Sequence, residues 1–171
     1  MDLISNWNEV KSVFKNTLGS SFHFSIASVN ESGEPHVTPI GSLILGRPGQ
    51  GIYFEKFTKN LPRNYANNKK KCVLAVNSSK WFWLKSLIVG KFKNPPAVRL
   101  HGVAGDLREA TETEIALWQK RVKIFSFSKG HALIWRGMTM VREIKFTKIE
   151  PVHFGEMTRN TWSIQSGKKN A

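Results

Sequence analysis

Strand-like segments separated by turns fill the first half of the chain, and this pattern constrains the fold more than any other feature. Residues 22–29 place apolar side chains on one face at a period of two, and residues 30–33 have the composition of a tight turn. Residues 34–45 predict the returning strand, which Pro39 and Gly41 interrupt because they weaken a hydrogen-bonded ladder. The sequence therefore predicts a β-hairpin whose second strand brings bare backbone close to a neighbouring group, such as a ligand.

A third strand and a short helix follow this hairpin. Residues 52–57 predict the strand, Asn60 is the expected N-cap of the helix, and Pro62 suits its first turn. The free amides of a helix N-terminus attract anions, and Lys59 and Arg63 add positive charge at the same end. Two interpretations stay open, a phosphate-binding site and a connecting helix whose charges are merely solvated.

Helices and a final strand are predicted on either side of this region. Residues 1–18 carry an apolar stripe at helical spacing, and Thr111 and Glu114 have the spacing of a capping box. Residues 138–149 alternate well enough for a final strand, although neither of its faces is cleanly apolar.

An aromatic segment and the C-terminal residues interrupt or follow the strand pattern. Residues 81–97 begin with three consecutive aromatic residues from Trp81 and predict an excursion or lid between strands. Those aromatic side chains either pack against protein or cover a ligand ring. Residues 150–171 form a C-terminal segment, of which 167–171 are expected to be a loose tail.

Charge is the compositional feature that most affects the choice of partner. The 171 residues include 26 Lys and Arg against 12 Asp and Glu, which gives a formal charge of +14. This balance favours nucleic acid, an acidic membrane surface or an anionic ligand. The positive residues are dispersed and no DNA-binding or RNA-binding motif is recognisable, so we expect no specific nucleic-acid partner.

Cysteine, histidine and hydropathy patterns exclude several other classes. Cys72 is the single cysteine, and its apolar strand predicts a buried thiol rather than a nucleophile, with the lysines at 69–71 facing solvent. The five histidines lack the spacing of a helical zinc pair, so no metal site is predicted. No apolar run approaches the roughly 20 residues of a spanning helix, so we expect no membrane partner and a cytoplasmic location.

Five short segments, in this order, resemble the FMN-binding split-barrel family of pyridoxamine 5′-phosphate oxidase-like proteins. They are SV at 28–29 with GEPHVTPI at 33–40, IYF at 52–54, RN at 63–64, KCVLAV at 71–76 and RLHGVA at 99–104. The matching region covers about two thirds of the chain, and the shared order carries more weight than any single segment.

The resemblance implies a mainly β, α+β fold: a six-stranded antiparallel split β-barrel with flanking helices, which forms a homodimer and binds FMN between subunits. One domain would cover residues 1–171, with the barrel at 22–149. Thr38, Pro39 and Ile40 would lie along the flavin, Lys59, Asn60 and Arg63 at its phosphate, and Arg99 and Gly102 near its ring. Leu61 departs from the family, many of whose members have Lys, Ser or Thr there, which leaves the strength of phosphate binding open.

The functional expectation is an FMN-dependent oxidoreductase of this family that acts on an unidentified small molecule. A flavin carries out hydride or electron transfer itself, so no dedicated acid, base or nucleophile is required, and none is assigned. Two alternatives stay open: a haem-binding or haem-degrading relative, and a basic module that binds nucleic acid or another polyanion without a cofactor. The sequence also leaves open whether the cofactor is FMN, a deazaflavin or haem.

Overall fold

An antiparallel sheet forms the centre of the computed structural model, which describes residues 1–159, 161 and 162. The sheet in this part of the chain has seven strands: β1 Phe24–Val29, β2 Pro35–Ile40, β3 Ile44–Leu45, β4 Gln50–Phe54, β5 Lys70–Val76, β6 Ala97–Glu109 and β7 Met140–Pro151. Their order is β2-β1-β5-β6-β7-β4-β3, so β2 and β3 are the two edge strands.

Helices flank this sheet on several sides. Five α-helices occur among the described residues: α1 Trp7–Ser21, α2 Asn60–Asn67, α3 Lys80–Val89, α4 Glu112–Val122 and α5 Lys129–Ile134. The predicted α+β class is therefore correct. The predicted excursion at 81–97 consists of α3 and the loop that leads into β6. The C-terminal segment contains a 3₁₀ turn at Gly155–Thr158, and the predicted tail at 167–171 lies outside the described residues.

The structure has seven strands instead of the predicted six because residues 34–45 form two strands. The break follows Ile40, where a Cβ on Gly41 would lie 2.9 Å from the carbonyl oxygen of Phe22. The Ser42 hydroxyl then donates to the Phe54 carbonyl at 3.0 Å and accepts from the Phe54 amide at 3.1 Å. This exchange directs the chain to the opposite edge of the sheet, where β3 pairs with β4.

One hydrophobic core joins side chains from both halves of the sheet. Ile26 of β1 and Tyr53 of β4 belong to this core although three strands, β5, β6 and β7, lie between β1 and β4 in the sheet, so the sheet curls around the core. Trp7, Val10 and Phe14 of α1 pack into the same core. The predicted N-terminal helix is thus confirmed, although it begins at Trp7 and extends to Ser21.

A second, smaller core lies under α4. Trp118 and Val122 of this helix pack with Phe54 and Val141. The predicted capping box is confirmed, because the Thr111 hydroxyl accepts from the Glu114 amide at 3.2 Å and the Glu114 carboxylate accepts from the Thr111 amide at 2.9 Å.

Register shifts explain the imperfect alternation of the last strand. The pairing of β6 with β7 shifts between His101 and Gly102, and again between Ala104 and Leu107. A bulge moves the following side chains to the other face of the sheet. Phe146 and Ile149 therefore both face the main core although they are three residues apart.

Candidate functional site

A polar cleft of about 460 Å³ separates the first turns of α2 from the β1–β2 hairpin. Asn60 and Arg63 line it from the helix, where their spacing of three residues puts them on one face. His36 lines the same cleft from β2. Behind it, the buried Asn64 amide donates to the Ser28 hydroxyl at 2.9 Å and fixes α2 against β1.

Both signs of charge surround this cleft. Glu31 and Glu34 of the hairpin line it opposite Arg63. The Glu34 carboxylate accepts a hydrogen bond from the Asn30 side chain at 2.7 Å, and the two residues also bond through their backbones. Glu34 therefore belongs to the turn that shapes the hairpin, whereas the Arg63 guanidinium is exposed at the helix end.

The start of α2 differs from its sequence-based prediction. Lys59, rather than Asn60, is the N-cap, and it makes no side-chain hydrogen bond to the helix amides. Asn60 is the first helical residue, and Pro62 does lie in the first turn. Lys59 is exposed and is not part of the cleft lining.

Along β2, alternate predicted site residues face opposite sides of the sheet. Thr38 lies two residues beyond His36 on the inner face, and Ile40 continues that face into the main core. The Thr38 hydroxyl is buried and has no hydrogen-bond partner among the described residues. A buried hydroxyl without a partner is costly, so a hydrogen bond from a ligand or from water to this atom would be favourable. Pro39 faces the outer side and is exposed.

Arg99 also lies on the outer face of the sheet, in the same cross-strand row as Pro39. The row runs Pro39, Ser25, Leu74, Arg99 and Glu150 across five strands. The Arg99 guanidinium pairs with the Glu150 carboxylate at 2.8 Å. A hydrogen bond from His101 at 3.0 Å, together with that of Arg99, lowers the pKa of Glu150 below its usual value.

Gly102 and Leu61 have structural reasons for their identities. A Cβ on Gly102 would lie 2.4 Å from the Lys145 carbonyl oxygen, so the close approach of β6 and β7 at the bulge requires glycine. Leu61 is fully buried in the main core and points away from the cleft. Leu61 therefore contributes no ligand-binding atom to the cleft. The presence of glycine at position 102 is explained by strand packing alone, without a bound ligand.

A buried polar cluster inside the sheet was not predicted. Its members are Tyr53, Glu55, Tyr65, Lys71 and Arg142. Glu55 accepts from the Arg142 guanidinium at 2.6 and 2.9 Å and from the Tyr53 hydroxyl at 2.6 Å. The Lys71 ammonium lies 4.0 Å from the centre of the Tyr65 ring.

Lys71 corrects the expectation that all three lysines of the run at 69–71 face solvent. It is only 5% exposed. Burial, with a smaller contribution from the charge of Arg142, lowers the pKa of Lys71 to about 7. The signal was available in the alternation of β5, because Lys71 is in phase with the buried Val73 and Ala75.

A larger cleft of about 890 Å³ lies elsewhere, between the β3–β4 hairpin, α4 and β7. None of the predicted cofactor-binding residues lines it. Its guanidinium, Arg108, is already paired with Glu114 at 2.8 Å and with Glu143 at 2.7 Å. We therefore place the candidate site at the smaller cleft, where Asn60 and Arg63 come together.

Neither a spanning helix nor a metal cluster is found in the part of the chain that the structure describes. Its helices are too short or too polar to cross a bilayer. No three His, Cys, Asp or Glu side chains of these residues are placed to hold a metal ion together.

Known proteins resemble this chain in structure but not detectably in sequence. No family model and no curated protein matches it. An FMN-binding protein from Syntrophomonas wolfei has a TM-score of 0.55 at 12% identity, covering 88% of this chain and 94% of its own. A pyridoxamine 5′-phosphate oxidase-like protein from Listeria innocua has a TM-score of 0.53 at 14% identity, with coverages of 85% and 96%.

A haem-related structure has the same architecture. HutZ, a haem storage protein from Vibrio cholerae, has a TM-score of 0.50 at 15% identity, covering 91% of this chain and 98% of its own. The shared element is the fold, because identities this low carry no information about ligand or activity. The chain therefore has the split-barrel fold of the FMN-binding, pyridoxamine 5′-phosphate oxidase-like proteins.

Proposed function

We propose that the protein binds FMN, with the phosphate in the cleft between α2 and the β1–β2 hairpin. The observation that carries this proposal is the unpaired, buried Thr38 hydroxyl on the same strand face as His36. A polar ligand that enters the cleft beside Arg63 and continues along β2 would give this hydroxyl a partner. Arg63 would hold the phosphate through charge-assisted hydrogen bonds, and Asn60 would add a neutral contact.

The positions of Pro39 and Arg99 support a homodimer. They lie on the outer face of the sheet, whereas Thr38 faces inward, so these three residues are not on one side of the sheet within one chain. In a homodimer with its sites between subunits, the outer face of one copy contacts the cofactor held in the cleft of the other. In this arrangement Thr38 of one copy, and Pro39 and Arg99 of the other, would contact the same cofactor.

The proposed activity is that of an FMN-dependent oxidoreductase acting on a small molecule. Bound FMN would supply hydride or electron transfer, and the protein residues would bind and orient it. The substrate class is left open. The proposed location is the cytoplasm, where an unpaired thiol such as that of Cys72 stays reduced.

Titration of the apoprotein with FMN and with riboflavin tests the phosphate assignment. FMN should bind more tightly than riboflavin, and Arg63→Glu should weaken FMN binding by on the order of 2 kcal/mol while changing riboflavin binding little. Arg47→Glu is the matched control, because Arg47 is exposed and lies outside this cleft. Equal affinities for the two flavins would refute the proposed phosphate site.

An absorption spectrum of the purified protein separates this proposal from the haem alternative. Flavin bands are expected. A Soret band from bound haem, with no flavin retained, would overturn the proposal and show that this protein binds haem instead.

A further inference from the structure

Helix α3 presents a broad apolar surface to the outside of the protein. Trp81 is 80% exposed and Ile88 is 77% exposed, although both are large apolar residues. Leu84, Leu87 and Val89 of the same ten-residue helix are also exposed. Contiguous exposed apolar surface of this kind marks a binding surface in soluble domains. We call these five residues the α3 outer face.

The opposite side of α3 is held firmly against the protein. Trp83 packs against Phe92 and Phe154 with ring centres 5.1 and 5.3 Å apart, and its indole NH donates to the Asn77 carbonyl at 2.6 Å. Gly90 ends the helix in the left-handed conformation with a φ of 74°. The aromatic segment therefore does pack against protein through this inner side, and the α3 outer face is a fixed surface.

The charged residues of the segment that contains the α3 outer face all have one sign. Residues 80–93 contain four lysines and no Asp or Glu. These lysines are Lys80, Lys85, Lys91 and Lys93, all of them exposed. None of them forms an ion pair with a residue that the structure describes. An apolar surface flanked by unpaired lysines is complementary to an interface that is apolar inside and anionic outside.

We infer that the α3 outer face docks the protein onto an anionic lipid bilayer. Leu84, Leu87 and Ile88 would enter the boundary between head groups and acyl chains, and Trp81 would lie at the level of the head groups, as amphipathic aromatic rings do. The lysines would contact anionic head groups through their long, flexible side chains. Docking of this kind needs no spanning helix, so it is compatible with the finding that the described helices cannot cross a bilayer.

Two other occupants fit the α3 outer face less well. A second copy docked here in a two-fold contact would bring the lysines of both copies together, residues 80–93 supply no carboxylate to pair with them, and like charges in an interface are unfavourable. A duplex nucleic acid would satisfy the lysines, but it would leave Leu84, Leu87 and Ile88 without apolar contact. An anionic bilayer accommodates both kinds of side chain.

Flotation with lipid vesicles tests the inference. The wild type should float with vesicles of phosphatidylcholine containing about 30% phosphatidylglycerol, and bind vesicles of phosphatidylcholine alone about tenfold more weakly. Ile88→Glu should reduce binding to the anionic vesicles by about tenfold. Leu133→Glu is the matched control, because Leu133 is 75% exposed on α5 and the change in charge is the same; it should change binding less than about twofold.

A second variant and a second readout keep the test decisive. If Ile88→Glu fails to fold by circular dichroism, the exposed pair Lys85→Gln and Lys91→Gln should still reduce binding to anionic vesicles by about tenfold. Brominated acyl chains should quench the tryptophan emission of the wild type, and quench Trp81→Phe less.

Absence of wild-type binding to anionic vesicles, or equal loss of binding in Leu133→Glu and Ile88→Glu, would overturn the inference. So would a change of oligomer mass in Ile88→Glu without wild-type flotation, since it would assign the α3 outer face to a protein contact.

Discussion

At the scale of single residues, Lys71 is the least expected feature of the molecule. Its ammonium lies inside the sheet, has no hydrogen-bond acceptor among the described residues, and contacts the face of the Tyr65 ring. The ring face is attractive to a cation, but less so than water, and Arg142 lies over the same ring at 5.5 Å. Burial and this second positive charge lower the pKa of Lys71 to about 7, so the amine readily loses its proton.

Lys71→Met should stabilise the protein in a pH-dependent way. The unfolded chain holds the Lys71 proton up to a pH of about 10.4, whereas the folded chain releases it near 7. The cost of burying the charge is therefore fully present at pH 7 and below, and it fades as the pH rises toward about 10. Urea unfolding should show the variant more stable than the wild type at pH 7, by on the order of 2 kcal/mol, with a much smaller difference near pH 10.

Lys70→Met is the control for this prediction. Lys70 is the exposed neighbour of Lys71 on β5, so the same substitution at Lys70 removes a positive charge that is already in contact with water. Its effect should be small at both pH values. A Lys71→Met variant that is less stable than the wild type at pH 7 would show that the cation contributes favourably through Tyr65.

At the scale of elements, the start of α4 combines a cap with an ion pair. Thr111 caps the helix, and Glu114 both completes the capping box and pairs with Arg108. The hydrogen bonds from Arg108 are the main reason why the pKa of Glu114 falls to about 2, so this carboxylate stays charged under ordinary conditions. The cap and the ion pair together connect α4 to the end of β6.

Thr111→Ala should destabilise the protein by about 1 kcal/mol, because the Glu114 amide loses its side-chain acceptor. Thermal or urea unfolding measures the difference. Thr113→Ala serves as the comparison, since Thr113 is exposed inside the helix and alanine favours helix there, so its effect should be neutral or slightly stabilising. Equal losses in the two variants would mean that the cap is not what stabilises α4.

Elements that depend on local sequence were predictable, and those that depend on pairing between distant segments were not. The stripe of α1 and the capping box of α4 follow from spacing within a few residues. The division of 34–45 depends on the contacts of Ser42 with Phe54 and of Gly41 with Phe22, which no local pattern encodes. The candidate site was partly predictable for the same reason, because Asn60 and Arg63 share one helix face, whereas their approach to His36 depends on tertiary packing.

At the scale of the whole molecule, the outer face of the sheet is the surface that the proposed homodimer would cover. Two rows of side chains cross it, Val37, Ala27 and Cys72 in one and Pro39, Ser25 and Leu74 in the other. Val37 is 60% exposed on the edge strand β2, and an exposed edge strand with apolar side chains favours association. Arg99 follows Leu74 in the second row, on the same outer face.

Light scattering at micromolar concentration should give a mass near twice 19.4 kDa for the wild type. Val37→Glu should weaken this dimer, because a two-fold contact brings the new carboxylate close to its own copy in an apolar surface. FMN affinity should fall in the same variant if each site uses residues of both subunits. The matched change Leu133→Glu, at a comparably exposed position on α5, should leave mass and affinity unchanged. A monomeric Val37→Glu variant that binds FMN as tightly as the wild type would show that the cleft at α2 is complete within one chain, and that Pro39 and Arg99 do not contact the cofactor.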